Sequence, residues 1–349
     1  MKFFLKLLIY SNVFIGVLTL CAYLSSALDS QMIWIFSIPG LFYPILFLLN
    51  IACIVLWLLT KPKYAIISVF TILLGFNHVG TFINFNKTEV GQKSGEIELV
   101  SFNIQNAHYA YSKGRKNRKA RSKTLRNFLK KFKDKDVLCF QESAAFAQDI
   151  LDLSFKKHFK HKPSNGPVIL SKSDFIDKGS IDFNTKTNGC IWVDIAINFD
   201  TMRIYNAHLQ SNRISKEAQK VMADGSFQDK ETWDGIYGIF ANYKRYNQIR
   251  SKQIKLIKQH MEKCPYPIIL CGDLNDTPQS YIYRLATEDL KDSFREKGNG
   301  LGTTFAGALP LLRIDYILAS QDFEFLNHEV HKEEFSDHFL ISATLRPIN

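Results

Sequence analysis

The chain has 349 residues, enough for one domain of roughly 250 residues beside a smaller N-terminal region. Its net charge of +11 favours anionic partners, such as nucleic acid, phospholipid headgroups or phosphorylated small molecules. The six cysteines form no Cys-x-x-Cys pair. We interpret them as packed thiols, which argues against a disulfide framework or a zinc site.

The first 85 residues differ in composition from the rest of the chain, and Phe3–Leu28 is almost wholly apolar. Two stretches are long enough for a membrane helix, which needs about 20 residues. A third is weaker, because its uninterrupted apolar run ends at Phe76. The first stretch also fits a cleavable signal peptide, since Ser25 and Ala27 form an acceptable cleavage site. We predict two to three transmembrane helices, at about residues 4–28, 38–59 and 64–85.

The third stretch decides on which side of the membrane the remaining chain lies. By the positive-inside rule, the lysines that flank the first two stretches belong in the cytoplasm. If residues 64–85 span the membrane, everything after them lies outside the cytoplasm, and if they lie on its surface, the domain is cytoplasmic. We expect the first arrangement, a multi-pass protein with an extracytoplasmic domain. The lysines are Lys2, Lys6, Lys61 and Lys63.

A linker at residues 86–95 leads into a domain at residues 96–349. Residues 113–135 are strongly basic, with Lys or Arg at 12 of 23 positions, and apolar residues at helical spacing predict an amphipathic helix within them. Its charged face is either simply solvated or a surface for phosphates or anionic lipid. The predicted strands cover residues 96–102, 136–140, 167–171, 189–197, 202–207, 268–272, 314–319 and 339–345, with a turn at 198–201.

Two further segments separate the predicted strands. Residues 210–237 are polar and irregular and are interpreted as an insertion, and loops of that length are often functional. A helix is predicted from about Tyr243 to Met261, and a short one after Pro278. Strands that first alternate with helices and then follow one another predict an α/β fold of two packed β-sheets flanked by helices.

The stretch from Ile268 to Pro278 concentrates the candidate chemistry. A short apolar strand ends at Gly272, which indicates close approach of the backbone to another group. Asp273 and Asn275 follow two residues apart, so on an extended backbone they would face one site. An Asx-rich turn is the alternative explanation for this pair.

Other candidate residues lie next to predicted strands in the same way. They are carboxylates, amides and imidazoles, and such groups can converge on one rim of packed sheets. Each has an ordinary explanation alone, such as a helix cap or a buried histidine, but their joint occurrence favours a site. They are Asn103, Glu142, His208 and Asp273 after strands, and Asp315, Asp337 and His338 where strands begin.

These motifs resemble those of the endonuclease/exonuclease/phosphatase superfamily, which has the deoxyribonuclease I-like fold. They occur in the order of that family from residue 96 to the C-terminus, whereas the membrane region lies outside the resemblance. The matching stretches are Ser101-Phe102-Asn103-Ile104, Gln141-Glu142, Val168-Ile169-Leu170-Ser171, Asn206-Ala207-His208-Leu209, Gly272-Asp273-Leu274-Asn275, Arg313-Ile314-Asp315-Tyr316-Ile317 and Ser336-Asp337-His338.

The resemblance implies a four-layer α/β sandwich and a metal-dependent phosphoester hydrolase with Mg²⁺, or alternatively Mn²⁺, as cofactor. It implies Glu142, Asn103 and Asp337 as metal ligands. Asp273 would orient or deprotonate the attacking water, and Asp315 would orient the imidazole of His338. The implied groups for the phosphoryl oxygens are Asn103, His208 and Asn275.

One departure from the family pattern bears on the substrate. Gln105 stands where the DNA-repair members have an acidic residue, which weakens the case for an abasic-site endonuclease. We expect a monomeric, membrane-anchored, nuclease-like phosphodiesterase that acts on nucleic acid or phospholipid headgroups beside the lipid bilayer. Alternatives are a sphingomyelinase-, phospholipase- or phosphoinositide phosphatase-type enzyme and, from another class, a catalytically inactive binding module.

Overall fold

The structure is a computed structural model, and it describes most of the chain. The described residues are 2–86, 95–163, 166–185, 188–197, 200–212, 229–307, 309 and 311–348. The predicted linker and the predicted insertion therefore lie largely outside them.

The N-terminal region is a bundle of apolar helices that leads into a short strand. Its elements are α1 (Lys2–Ala27), α2 (Ser37–Leu41), α3 (Tyr43–Thr60), α4 (Ala65–Leu74), α5 (Phe76–Val79) and β1 (Ile83–Phe85). Two described helices, Phe3–Ala27 and Tyr43–Thr60, are long and apolar enough to cross a membrane.

The second and third apolar stretches, predicted as helices at residues 38–59 and 64–85, differ from that prediction. The second helix begins at Tyr43 rather than residue 38, with Pro44 in its first turn, where proline is pre-organised for a helix. The third stretch is not one helix, because α4 ends before Gly75 and the chain reaches an extended conformation at Ile83. A side chain at Gly75 would meet the Tyr23 ring, since an added Cβ would lie 1.9 Å from its Cζ.

The rest of the described chain forms two six-stranded sheets. Their strands are β2 (Ile97–Asn103), β3 (Val137–Ser143), β4 (Phe159–His161), β5 (Gly166–Ser171), β6 (Phe175–Ile181), β7 (Gly189–Ile197), β8 (Asp200–His208), β9 (Ile268–Asp273), β10 (Leu290–Asp292), β12 (Asp315–Ser320), β13 (Phe323–His331) and β14 (Leu340–Pro347). The first sheet has the order β13–β14–β2–β3–β5–β4, and the second has the order β10–β12–β9–β8–β7–β6. Strand β11 (Asn299–Leu301) pairs with β1 outside both sheets.

The sheets pack face to face, and helices cover their outer faces. Alternate apolar residues of both sheets, such as Leu99, Cys139, Ile204 and Cys271, form the central core. A second core lies under α7 (Arg115–Leu129) and α8 (Ala145–Ser154), and a third lies under α9 (Lys230–Met261) and α10 (Tyr281–Ala286). The shortest outer helices are α6 (His108–Tyr111) and α11 (Ser293–Lys297). The predicted fold class is confirmed.

The start of the longest helix in the domain was also predicted wrongly. Helix α9 begins at Lys230 instead of Tyr243, so the last part of the predicted insertion, through Tyr237, is helical. The glycines at 235 and 238 and the exposed aromatic side chains of Tyr237 and Phe240 remove the one-sided apolar pattern that marks a surface helix.

Candidate active site

Sheet register brings three of the candidate residues side by side at the edge of the second sheet. In the parallel pair β8 and β9, His208 lies opposite Asp273. In the antiparallel pair β9 and β12, Asp273 lies opposite Asp315. All three side chains are buried. Asp273 is therefore the middle member of a row that runs across three strands.

Asn103 joins this row to the first sheet. Its strand β2 ends beside β3, with Asn103 paired to Gln141 in the parallel register. The Asn103 side-chain amide donates to Asp273 Oδ2 at 2.9 Å and, more weakly, towards Glu142 Oε1 at 3.4 Å. Just beneath, the Gln141 amide donates to Asn206 Oδ1 at 2.7 Å and so ties the two sheets together. Gln141 and Asn206 were not predicted as site residues, although both belong to the motifs quoted above.

Asp273 and Asn275 meet through a turn, not through an extended strand. Strand β9 ends at Asp273, and Asn275 has a left-handed backbone with φ of 53°. The Asn275 backbone N–H donates to Asp273 Oδ1 at 2.8 Å, and its side-chain amide reaches Asp273 Oδ2 at 3.2 Å. The expected proximity is present, but the Asx-type turn that was weighed as the alternative produces it.

Asp273 lies in a pocket that favours its protonated form more than water does. Burial raises the pKa of its carboxyl group, which the nearby cationic imidazole of His338 only partly counters. A carboxylate with a raised pKa is a stronger proton acceptor than an exposed one. This suits a group that accepts a proton from water.

His338 is held by Asp315. Its Nδ1 lies 2.9 Å from Asp315 Oδ2 and 3.1 Å from Asp315 Oδ1, and its Nε2 lies 3.7 Å from Asp273 Oδ2. Burial acts to lower the pKa of His338, but the carboxylates of Asp315 and Asp273 outweigh it and raise the pKa to about 10. The ring is therefore an imidazolium at neutral pH, with its orientation fixed by Asp315.

Glu142 and Asp337 form the more open side of the site, next to the buried His208. His208 Nε2 lies 3.5 Å from Glu142 Oε1 and 3.8 Å from Asp273 Oδ2. The Glu142 side chain is 29% exposed, and its backbone has a φ of 49°, which is uncommon for this residue type. Burial raises the pKa of Asp337, and the nearby Glu142 carboxylate adds to the rise.

Two groups of side chains could hold a cation. Asp273, Asp315 and His338 offer ligand atoms within 4.8 Å of one another. However, His338 already bonds both oxygens of Asp315, and Asp273 accepts from Asn103 and Asn275. Glu142 and Asp337 are more accessible carboxylates beside an amide. Carboxylate and amide oxygens are the ligands that Mg²⁺ prefers, so this second group fits a hard cation better.

The loop before β12 packs against Asp315 and His338 through Thr304 and Phe305. The Thr304 hydroxyl accepts from the Asp315 backbone N–H at 3.1 Å, and the Thr304 carbonyl accepts from Phe339 N–H at 2.7 Å. The Phe305 ring packs edge-on against His338 with ring centres 5.3 Å apart. Neither Thr304 nor Phe305 lies in a motif, so no pattern pointed to them.

A buried ion pair fixes the chain after Asn275. Arg250 Nη2 of α9 lies 3.1 Å from Asp276 Oδ2, and both side chains are almost fully buried. Tyr316 donates to the Asp276 carbonyl at 2.8 Å. Asp276 was not predicted as a positioning residue, and its carboxylate serves structure rather than the open rim.

Comparison with known proteins extends these observations. Residues 100–338 match the model of the endonuclease/exonuclease/phosphatase family, and residues 5–82 match a family described as a domain of unknown function. No curated protein matches the chain.

Several solved structures share the fold. An endonuclease/exonuclease/phosphatase family protein from Bacteroides thetaiotaomicron superposes with a TM-score of 0.55 at 16% identity, covering 74% of this chain and 100% of that one. A humanized TDP2 from D. rerio superposes with a TM-score of 0.53 at 16% identity, covering 72% of this chain and 100% of that one. A mannosyl-6-phosphatase from Bacteroides thetaiotaomicron also superposes with a TM-score of 0.53 at 16% identity, covering 71% of this chain and 99% of that one.

The family match covers more than half of the chain and includes every stretch on which the resemblance rested, from Ser101 to His338. Enzymes of this family act on phosphoesters and generally use divalent metal ions. The chain belongs to the endonuclease/exonuclease/phosphatase family and is a phosphoester hydrolase of that type.

Proposed function

We propose that the chain is a membrane-anchored, Mg²⁺-dependent phosphodiesterase that hydrolyses its substrate by in-line attack of water. The observation that carries this proposal is the row His208–Asp273–Asp315, with Asn103 and His338 bonded to it from the other sheet. A proton acceptor (Asp273), a fixed imidazolium (His338) and an amide donor (Asn103) thus lie close together. Such an arrangement can orient a water molecule and stabilise the charge on a phosphoryl group during attack.

Each side chain has a role that follows from its surroundings. Asp273 orients the attacking water and accepts its proton. The imidazolium of His338 offsets the negative charge on the phosphoryl oxygens, and Asp315 keeps its ring in place. Asn103, His208 and Asn275 hold the phosphoryl oxygens through their N–H groups, and the two amides release a hydrogen bond to Asp273 to do so.

Glu142 is the principal proposed metal ligand, with Asn103 and Asp337 contributing. A divalent cation bound there supplies electrostatic stabilisation of the charge that grows on the phosphoester oxygens. Mg²⁺ is the proposed ion because the available donors are oxygens, and Mn²⁺ is the alternative.

Membrane anchoring is supported by how little of the apolar helices is covered. In the apolar windows of the two long helices, only 22% and 28% of the residues are buried, whereas a core helix of a water-soluble domain is mostly buried. Large side chains such as Phe14, Leu58 and Leu73 are more than half exposed. Lipid would cover these surfaces.

Two substrate classes carry separate support. Nucleic acid is favoured by the exposed basic residues of α7, whereas a phospholipid substrate is favoured by the apolar N-terminal helices. An inactive binding module has less support, because binding alone does not require Glu142, Asp273 and His338 to converge.

The test is the rate of phosphodiester hydrolysis by the purified full chain as a function of Mg²⁺ concentration. We expect Asp273→Asn to lower turnover by about 10²–10⁴-fold, as loss of a proton acceptor does. His338→Ala should lower it by about 10²–10³-fold, as loss of one charge-stabilising donor does. Glu142→Gln should shift the activity to higher Mg²⁺, with partial recovery, because it removes a ligand charge.

The matched control is Asp289→Asn, which changes a carboxylate that is 77% exposed and remote from the site. Its rate and Mg²⁺ dependence should equal those of the wild type. A near-wild-type rate for Asp273→Asn would overturn the assignment.

A further inference from the structure

An apolar groove lies between the N-terminal helices and the loop that supports the active site. Its volume is about 100 Å³. One wall is the start of α3, including Phe47 and Leu48, and the other includes Leu301 and Leu311. Among its lining residues that the structure describes, only Tyr43 and Thr303 have a polar side-chain atom. A groove with this lining suits a hydrocarbon and offers no cation to a phosphate.

The inner wall of the groove continues directly into the active site. Thr303 lines the groove, and the next residue, Thr304, accepts from the backbone of Asp315. Phe305 then packs on the His338 ring, and the Phe305 N–H donates to the Leu312 carbonyl at 3.1 Å. The segment Thr303–Phe305 therefore lies between the apolar groove and the proposed phosphoryl site.

The outer end of the groove opens towards the face that lipid would cover. Leu48 is 50% exposed and belongs to a helix that is long and apolar enough to cross a membrane, and Leu301 opposite it is 46% exposed. The groove lies beside the first turns of that helix, at the end next to the hydrolase domain. With the helices anchored as proposed, the hydrocarbon chain of a lipid that leaves the bilayer core reaches the groove before the active site.

We propose that this groove binds a hydrocarbon chain of an amphiphilic phosphodiester, whose phosphate is thereby presented to Asp273 and His338. The inference rests on the proposed function and names its substrate class: a lipid phosphodiester drawn from the membrane. Nucleic acid has no group that would fill the groove, so the groove favours the lipid over the polynucleotide.

The probes are alkyl 4-nitrophenyl phosphates with ethyl, butyl and octyl chains, supplied to the full chain in phosphatidylcholine nanodiscs with Mg²⁺. Water adds to phosphorus, the bond to the nitrophenyl oxygen breaks, and 4-nitrophenolate, alkyl phosphate and protons are released. A DNA oligonucleotide is assayed in parallel. Since one buried methylene contributes about 0.8 kcal/mol, KM should fall at least about tenfold from ethyl to octyl.

Filling the groove should remove this dependence on chain length. We expect Leu48→Trp, or Val79→Phe from another part of the lining, to reduce the ethyl-to-octyl difference to less than about threefold while ethyl ester hydrolysis is kept. Leu49→Trp is the matched control, because Leu49 is an exposed neighbour on the same helix that does not line the groove.

The outcomes separate the two levels of the proposal. Equal KM values for all chains in the wild type, an unchanged chain-length dependence in both filling variants, or preferred cleavage of the oligonucleotide would each overturn the lipid inference. Failure of the wild type to hydrolyse any of the substrates with Mg²⁺ would instead overturn the proposed function.

Discussion

Gly272 makes the position of Asp273 possible. Its φ is 144°, and an added Cβ would lie 2.0 Å from the Ala207 carbonyl oxygen on the neighbouring strand. A backbone oxygen cannot move aside as a flexible side chain can. The close approach inferred from the sequence is confirmed, and it sets the spacing between His208 and Asp273.

We therefore expect Gly272→Ala to destabilise the protein by about 3 kcal/mol or more, from backbone strain and overpacking together. The measurement is thermal unfolding of the full chain in detergent. Gly238→Ala is the control, because an added Cβ at this helical glycine meets nothing within 4 Å. Alanine there should be neutral or stabilising by about 0.5–1 kcal/mol. Equal melting temperatures for wild type and Gly272→Ala would contradict the argument.

The side chains of the site were easier to predict from the sequence than the backbone that holds them. Asp273 and Asn275 were correctly expected to be neighbours, but the left-handed φ of Asn275 was not expected, because the residue type only permits it. Glu142 has a similar φ, and no pattern in the sequence indicates it. Such strained positions depend on tertiary contacts, which is why sequence reasoning missed them.

The buried central strands were predictable from the sequence, and the strands at the sheet edges were not. Strand β5 is buried throughout, and its apolar run was recognised. Strand β6 at the edge of the second sheet is mostly exposed and carries charged residues, so its pairing with β7 was not expected. The short strands β10 and β11 contain three residues each, too few to show alternation.

The basic helix α7 has an orientation that sharpens its proposed role. Strands β2 and β3 are parallel and both end at the active-site rim, so the connecting helix begins near that rim and runs away from it. Arg121 stacks on Tyr109 and Arg118 on Phe146, two residues that follow those strand ends. The first half of α7 thus lies closer to the active-site rim than its second half.

We expect Lys116→Gln with Lys119→Gln to raise KM for an anionic substrate and to flatten the dependence of KM on salt, because fewer charges meet phosphates. Turnover should change little. The control is Lys130→Gln with Lys133→Gln, which removes equal charge beyond the far end of the helix. Both pairs are read out as KM against salt concentration. Identical salt slopes for the two pairs would indicate a face that is merely solvated.

The N-terminal bundle and the hydrolase domain share a polar contact surface. Asp29 after α1 accepts from Lys255 Nζ at 2.5 Å and from Ser251 Oγ at 2.9 Å, both on α9. Arg284 donates to the Ser26 carbonyl at 2.8 Å, and Arg313 donates to the Thr81 carbonyl at 2.9 Å. The domain is thus attached to one end of the bundle.

The direction of α4 places the lysines at the opposite end. Asn12 Oδ1 accepts from Ser68 Oγ at 2.6 Å, and Tyr23 donates to the Thr71 carbonyl at 3.1 Å. Helices α1 and α4 therefore run side by side in the same direction, towards the hydrolase domain. Lys61, just before α4, lies at the far end of the bundle together with the start of α1.

This arrangement predicts an extracytoplasmic hydrolase domain. Although residues 64–85 are not one helix, α4 runs alongside α1 and brings the chain back to the end of the bundle that contacts the hydrolase domain. The positive-inside rule assigns the opposite end, which carries the lysines, to the cytoplasm. A fusion to alkaline phosphatase at Lys93 should be active, and one to a fluorescent protein that folds only in the cytoplasm should be dark. Fusions at Lys63 should give the reverse pattern. A fluorescent fusion at Lys93 would place the domain in the cytoplasm and leave α4 and α5 on the membrane surface.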